Sequence, residues 1–202
     1  MEAFLAIFTL PIIFLNLLGG IVAGIWLIII GEWGLVIWAV LFTILSTWIV
    51  SLLLMPGLLL ALPLTWAIEK RKYFLLYIFG PLNIVWTYVV MTAWCVISFM
   101  YVLNNYESGS IWPYLLLGYT VATGPWTYMA SKEGPDATGS IMGAFFCCLG
   151  GIVMMIVTLF SSSVNMLQLL ICFGSVMLIA WIVQIIIFIF TLKAEKVKES
   201  NL

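Results

Sequence analysis

The chain has 202 residues, of which 65% are hydrophobic and 7% are charged, and its formal net charge is −1. So few polar residues cannot cover the surface of a soluble domain of this length, and the small net charge gives no electrostatic reason to bind nucleic acid. Composition therefore predicts one integral membrane domain over residues 1–202, with the lipid bilayer as its main partner.

The first two apolar runs predict two spanning helices joined by a very short turn. A helix that crosses a bilayer needs about 20 apolar residues. Residues 3–30 and 34–54 both meet this requirement, and only residues 31–33 separate them. Because the flank before the first run is acidic, at Glu2, we expect a retained anchor rather than a cleaved signal peptide.

The second run is interrupted at Pro56 and Gly57, and its apolar extension over residues 56–68 is too short to cross a bilayer. This pattern predicts a broken or re-entrant segment after the second span. Such a segment would line a cavity, because irregular backbone at membrane depth needs polar partners. The alternative is a long, kinked second helix whose end packs against the bundle. Pro81 and Pro125 are further candidate hinges in later spans.

Four further apolar runs complete a predicted all-α bundle of six transmembrane helices. They cover residues 73–103, 111–130, 141–160 and 166–192. Polar loops separate these runs, with the most turn-rich loop at residues 131–140, and a charged tail follows at residues 193–202.

Every basic residue of the chain falls on one predicted face of the membrane. The seven residues are Lys70, Arg71, Lys72, Lys132, Lys193, Lys196 and Lys198. With six spans, the two termini lie on the same side as these residues, and the positive-inside rule makes that side cytoplasmic. We therefore expect a plasma-membrane protein with both termini in the cytoplasm.

The centres of the predicted spans carry no Asp, Glu, Lys or Arg, and the chain contains no His. Ionisable residues at membrane depth mark proton relays and voltage sensors, so we expect neither function. The four cysteines lie in apolar runs without C-x-x-C spacing and are predicted to be packing residues, so we expect no metal and no cofactor. Without a Ser-His or Cys-His pair, and with acids such as Asp136 in loops, we expect no catalytic residue and no enzyme activity.

Two faces of small residues predict close helix packing. Gly20 and Gly24 form a small-xxx-small pair on the first span, and Gly143, Gly150 and Gly151 make a similar face on the fifth. Inside a bilayer the hydrophobic effect does not bring helices together. Small residues favour helix packing there because they let the backbones approach closely. The contact lies either between helices of one chain or between subunits, and the sequence leaves both open.

Polar side chains at helical spacing form stripes on spans two, three and four. The stripes contain Thr43 and Thr47, Asn83 and Thr87, and Thr120 and Thr123. Residues three or four apart share a helix face. Their hydroxyls either bond back to a carbonyl of their own helix or line a hydrated path.

Asn83 is the strongest candidate for ligand contact, because it follows Gly80 and Pro81, which free backbone groups in the same turn. Trp86 and Trp94 lie in the same span as Asn83. They either fill the core or form the walls of a pocket, since a buried indole N–H needs a partner.

These features predict an oligomeric channel or facilitator for a neutral or lipid-like solute. The short loops and glycine faces are also typical of a non-catalytic subunit or anchor of a larger membrane complex. A membrane-disrupting effector controlled by a partner fits the composition as well. In each case we expect self-association or association with other membrane subunits.

Overall fold

The computed structural model confirms an all-helical architecture. It describes residues 2–107, 109–134, 138–161 and 163–200, with side chains from residue 7 to residue 198 of these ranges. Six helices occupy the described residues: α1 (Glu2–Ile29), α2 (Trp33–Glu69), α3 (Tyr73–Asn104), α4 (Trp112–Glu133), α5 (Thr138–Phe160) and α6 (Met166–Ser200). Asp136 lies outside the described residues.

Five of these helices, α1, α2, α3, α5 and α6, are long and apolar enough to cross a membrane. An integral, multi-pass membrane protein is therefore supported directly by the helices. α4 is less apolar than the others. The crossing predicted for residues 111–130 stays a prediction, as does the orientation of the termini.

α4 lies at the centre of the bundle, where it packs against α1, α2, α3 and α5. Most of its residues are buried, including Tyr114, Leu115, Thr123 and Trp126. Because protein rather than lipid surrounds this helix, its side chains need not be uniformly apolar, and it carries threonine and glycine without exposing them to hydrocarbon. The central position of α4 therefore explains why its sequence is the least apolar of the six helices.

The break predicted at Pro56 is not confirmed, and the structure shows the alternative of a long second helix: α2 is one continuous helix of 37 residues that contains both Pro56 and Pro63. Proline removes one backbone hydrogen bond, but a membrane helix tolerates this loss when its neighbours support it. Gly57 is buried against α3, where an added Cβ would lie 3.0 Å from Cδ1 of Trp86. Gly57 therefore lets two helices approach closely, and residues 56–68 continue the second helix.

Two short turns of the same type connect the first three helices. Gly31 and Arg71 both have positive φ, +87° and +52°. The next backbone N–H bonds to a carbonyl five residues earlier, from Glu32 to Leu27 at 2.9 Å and from Lys72 to Ala67 at 2.8 Å. This pattern closes the helix C-terminus and reverses the chain within three residues.

The helices extend beyond several predicted spans. α4 continues to Glu133 and α5 begins at Thr138, so both helices extend into the predicted loop at residues 131–140. α6 continues as helix to Ser200, through most of the predicted tail. Lys, Glu and Ala are good helix formers in water, so the helix does not need to end where the apolar run ends.

Candidate functional site

A cavity of about 760 Å³ lies between α2, α3, α5 and α6. Its polar lining includes Asn83 on α3, Gln184 on α6 and Thr138 at the start of α5. Leu64, Ile84 and Phe188 are among its apolar walls. We call it the amide cavity, after its two carboxamide side chains.

Two glycines make room for side chains of the cavity lining, Gly57 for Asn83 and Gly80 for Phe188. An added Cβ on Gly57 would lie 3.3 Å from Asn83 Oδ1, and one on Gly80 would collide with the Phe188 ring. The backbone carbonyl of Asn83 accepts a hydrogen bond from Thr87 Oγ1 at 3.0 Å. Asn83 lines the cavity together with Ile84 of the same helix.

Gln184 is a site residue that the sequence analysis missed. Its Oε1 is buried and has no hydrogen-bond partner among the described residues. An added Cβ on Gly139 would lie 2.8 Å from its Nε2, so a glycine again makes room for an amide. The available signal was a lone glutamine in the middle of the apolar run from Val176 to Ile189.

Among the described residues that line the amide cavity, none is charged. A neighbouring cavity of about 350 Å³ shares Leu64, Phe188 and Thr191 with it and reaches Arg71 and Glu195. The two cavities together extend from Arg71 and Glu195, at the charged end of the bundle, to the amides of Asn83 and Gln184. Such a site offers hydrogen-bond donors and acceptors without a charge, which suits an uncharged ligand.

A second cavity, of about 520 Å³, lies between α1, α2 and α4. We call it the α1–α2 groove. It collects four predicted residues from different spans: Gly20 and Gly24 of α1, Thr43 of α2 and Thr120 of α4. Asn16 also lines it and is only 3% exposed.

The three predicted polar stripes do not meet in one path. Thr43 and Thr120 line the α1–α2 groove, while Thr47 and Pro125 line a separate cavity of about 410 Å³. Thr123 is fully buried and donates to the Tyr119 carbonyl at 2.7 Å. Bonding to carbonyls of the same helix also occupies the hydroxyls of Thr43, Thr87 and Thr120.

The two predicted tryptophans lie in different surroundings. The indole N–H of Trp94 donates to the Val121 carbonyl at 3.4 Å, and its ring packs 5.8 Å from that of Phe42. Trp86 Nε1 is buried without a partner among the described residues, and it lies beside Gly57, as the Asn83 amide does. Trp86 is therefore next to the amide cavity and Trp94 is not part of its lining.

The small residues of α5 face inward. Added Cβ atoms at Gly143, Gly150 and Gly151 would collide with or crowd Trp126, Phe173 and Tyr119 in turn. Gly20 lies against Thr120, whereas Gly24 has no atom within 4 Å of an added Cβ. Pro81 and Pro125 lie inside the continuous helices α3 and α4.

Comparison with known proteins gives no match to a family model, a curated protein or a solved structure. Among the described residues, no group of His, Cys, Asp and Glu is arranged to hold a metal ion. The functional argument therefore depends on the cavities themselves.

Proposed function

We propose that the protein is a non-enzymatic facilitator that binds a neutral or lipid-like solute in the amide cavity. The observation that carries this proposal is the pair Asn83 and Gln184, two uncharged amides that line one cavity, in which Gln184 Oε1 is buried without a hydrogen-bond partner among the described residues. A buried acceptor left unpaired costs about 1–3 kcal/mol. A bound solute that donates to Gln184 Oε1 recovers part of this cost.

The positions of the charged residues support entry of the solute from one end of the bundle. Arg71 and Glu195 lie where the neighbouring cavity reaches the charged end of the bundle. From there a solute meets apolar walls and then the two amides. An ion would lose its hydration without meeting an opposite charge, so the site favours uncharged molecules.

We propose that the rest of the solute's route runs outside a single chain. Beyond the amides, the interior is filled by core residues such as Met91, Phe99, Leu115 and Phe173. A solute that leaves the cavity must therefore pass into lipid or along the surface between copies of the chain. This geometry supports a homo-oligomer, which the mass of the detergent-solubilised particle would test directly.

The test is flux into liposomes of uncharged solutes that range from glycerol to monooctanoylglycerol. We expect Asn83→Leu and Gln184→Leu each to lower the rate by about tenfold, because each removes a hydrogen bond worth about 0.5–1.5 kcal/mol and narrows the cavity. Ser175→Leu, at an exposed position of α6, is the matched control and should leave flux unchanged. Unchanged flux in both cavity variants, for every solute that the wild type passes, would contradict the proposal.

A non-catalytic subunit of a larger complex is the second candidate, and the form of α6 favours it. This helix continues past its apolar part and presents Lys193, Lys196 and Lys198 to solvent. A basic helical extension attracts an acidic partner or anionic lipid at about 1 kcal/mol per charge. We expect a specific partner to co-purify in mild detergent and to be lost when all three lysines become Gln. Recovery of self-copies alone would exclude this role.

A further inference from the structure

The α1–α2 groove contains one buried polar group that nothing in the described chain satisfies. Asn16 is 3% exposed, lines the groove, and its Oδ1 has no hydrogen-bond partner among the described residues. The amide is otherwise anchored, because its Nδ2 donates to Thr127 Oγ1 at 3.3 Å. A buried carbonyl oxygen without a partner indicates a place where a ligand donor fits.

The orientation of the Asn16 amide is fixed by Thr127. A hydroxyl has one proton to give. Thr127 gives its proton to the Gly124 carbonyl at 2.8 Å, so it accepts from Asn16 rather than donating to it. The nitrogen of Asn16 must therefore face Thr127, which leaves the oxygen as the free atom.

The other hydroxyls along the groove are also used as donors within their own helices. Thr43 donates to the Ala39 carbonyl at 2.7 Å, Thr120 to Leu117 at 2.9 Å and Ser131 to Tyr128 at 2.8 Å. The one remaining hydroxyl of the lining belongs to Tyr128, whose side chain is 48% exposed. The described hydroxyls inside the groove therefore leave no free O–H donor for Asn16 Oδ1.

The shape of the groove suits an apolar body. Gly24 on α1 and Gly124 on α4 face open space, with no atom within 4 Å of an added Cβ at either position. Leu27 and Leu35 are buried in one cluster near the turn that joins α1 to α2. A volume of about 520 Å³ falls in the range of ligand pockets, roughly 300–1,000 Å³.

We propose that the α1–α2 groove binds one uncharged, membrane-dissolved alcohol, whose hydroxyl donates to Asn16 Oδ1 and whose apolar body lies along Gly20, Gly24 and Gly124. An alcohol matches this site because it supplies a donor for Asn16 Oδ1 and carries no charge into the bilayer. A second copy of the chain would bring mainly apolar side chains from its helices and would leave Asn16 Oδ1 unpaired. This site is separate from the amide cavity and does not depend on its proposed function.

The test uses a long-chain alcohol that bears a diazirine in mid-chain, together with its methyl ether, on the full chain in nanodiscs. After irradiation, mass spectrometry locates the labelled peptides. We expect the alcohol to label α1, α2 and α4 about tenfold more than the ether does, since the ether cannot donate a hydrogen bond. Unlabelled 1-dodecanol should compete for the same peptides.

Two variants and one control separate the contribution of the open space at Gly24 from that of the hydrogen bond to Asn16 Oδ1. Gly24→Leu fills open space and should abolish labelling by both probes at these helices. Asn16→Leu should make alcohol and ether label equally. Gly174→Leu on α6, where an added Cβ also meets nothing within 4 Å, should label as the wild type does. If Asn16→Leu does not fold, Gly24→Leu and the comparison of the two probes still decide the question.

Three outcomes would overturn the proposal. The first is equal labelling of the wild type by alcohol and ether. The second is labelling that Gly24→Leu leaves unchanged. The third is a Gly24→Leu variant that dissociates an oligomer whose groove the alcohol does not label, which would make the groove a contact between copies.

Discussion

At the scale of single residues, glycine decides where large side chains fit in this bundle. Gly57 makes room for Trp86 and Asn83, Gly139 for Gln184, and Gly143 for Trp126. Glycine costs conformational entropy in a helix, so these positions are retained at some expense of intrinsic helix stability. The glycines offset this cost by letting the helices approach closely, because packing is the main attraction between helices in a membrane.

The effect of glycine packing on stability can be tested by comparing Gly143 with Gly174. An added methyl at Gly143 would collide with the Trp126 ring, whereas at Gly174 it would meet nothing within 4 Å. We expect Gly143→Ala to lower the free energy of unfolding by about 1–3 kcal/mol through overpacking. Gly174→Ala should raise it by up to about 1 kcal/mol because alanine favours helix. Denaturation of both variants in the same detergent measures the difference, and equal effects would contradict the packing at Trp126.

The residues of the site were predicted only in part. Asn83 was singled out from the Gly80-Pro81 pair that precedes it, and it lies in the amide cavity. No such pair precedes Gln184 or Asn16. A polar residue in an apolar run is visible in the sequence, but whether it faces lipid, a backbone carbonyl or a cavity depends on the helix packed opposite to it.

At the scale of helices, the continuity of α2 is the main departure from the sequence prediction. Pro56 suggested a break because proline cannot donate a backbone hydrogen bond. Thirty-seven continuous residues give a helix about 55 Å long. This length exceeds the hydrocarbon core of about 30 Å, so α2 must tilt or extend beyond the bilayer.

A distance measurement tests this continuity. Leu52 and Trp66 are both exposed and lie 14 positions apart on α2. Spin labels at Leu52→Cys and Trp66→Cys, in a Cys172→Ser background, should lie about 21 Å apart along the helix axis. The other three cysteines are buried and are expected to stay unlabelled. A re-entrant segment would bring the two labels much closer, so a short distance in pulsed electron paramagnetic resonance would rule out the continuous helix.

At the scale of the whole molecule, the orientation of the bundle remains the principal prediction. If α4 crosses the membrane, Glu107 and Lys132 lie on opposite sides. Both side chains are exposed. In intact cells, and in a Cys172→Ser background, an impermeant maleimide should label Glu107→Cys and leave Lys132→Cys unlabelled until the cells are opened. Labelling of both from outside would show that α4 does not cross and would divide the basic residues between the two faces.

The sequence by itself determined the membrane class, the helical content and the approximate limits of the helices, because these depend on composition and on the length of each apolar run. It also determined which functions lack the necessary residues. Only the tertiary structure decided that α4 is central, that α2 is unbroken and that Asn16, Asn83 and Gln184 face cavities. The physical reason is that lipid and protein are equally apolar neighbours for a helix, so hydrophobicity cannot specify which face packs inward. Packing around glycines and the hydrogen bonds of a few polar groups make that choice.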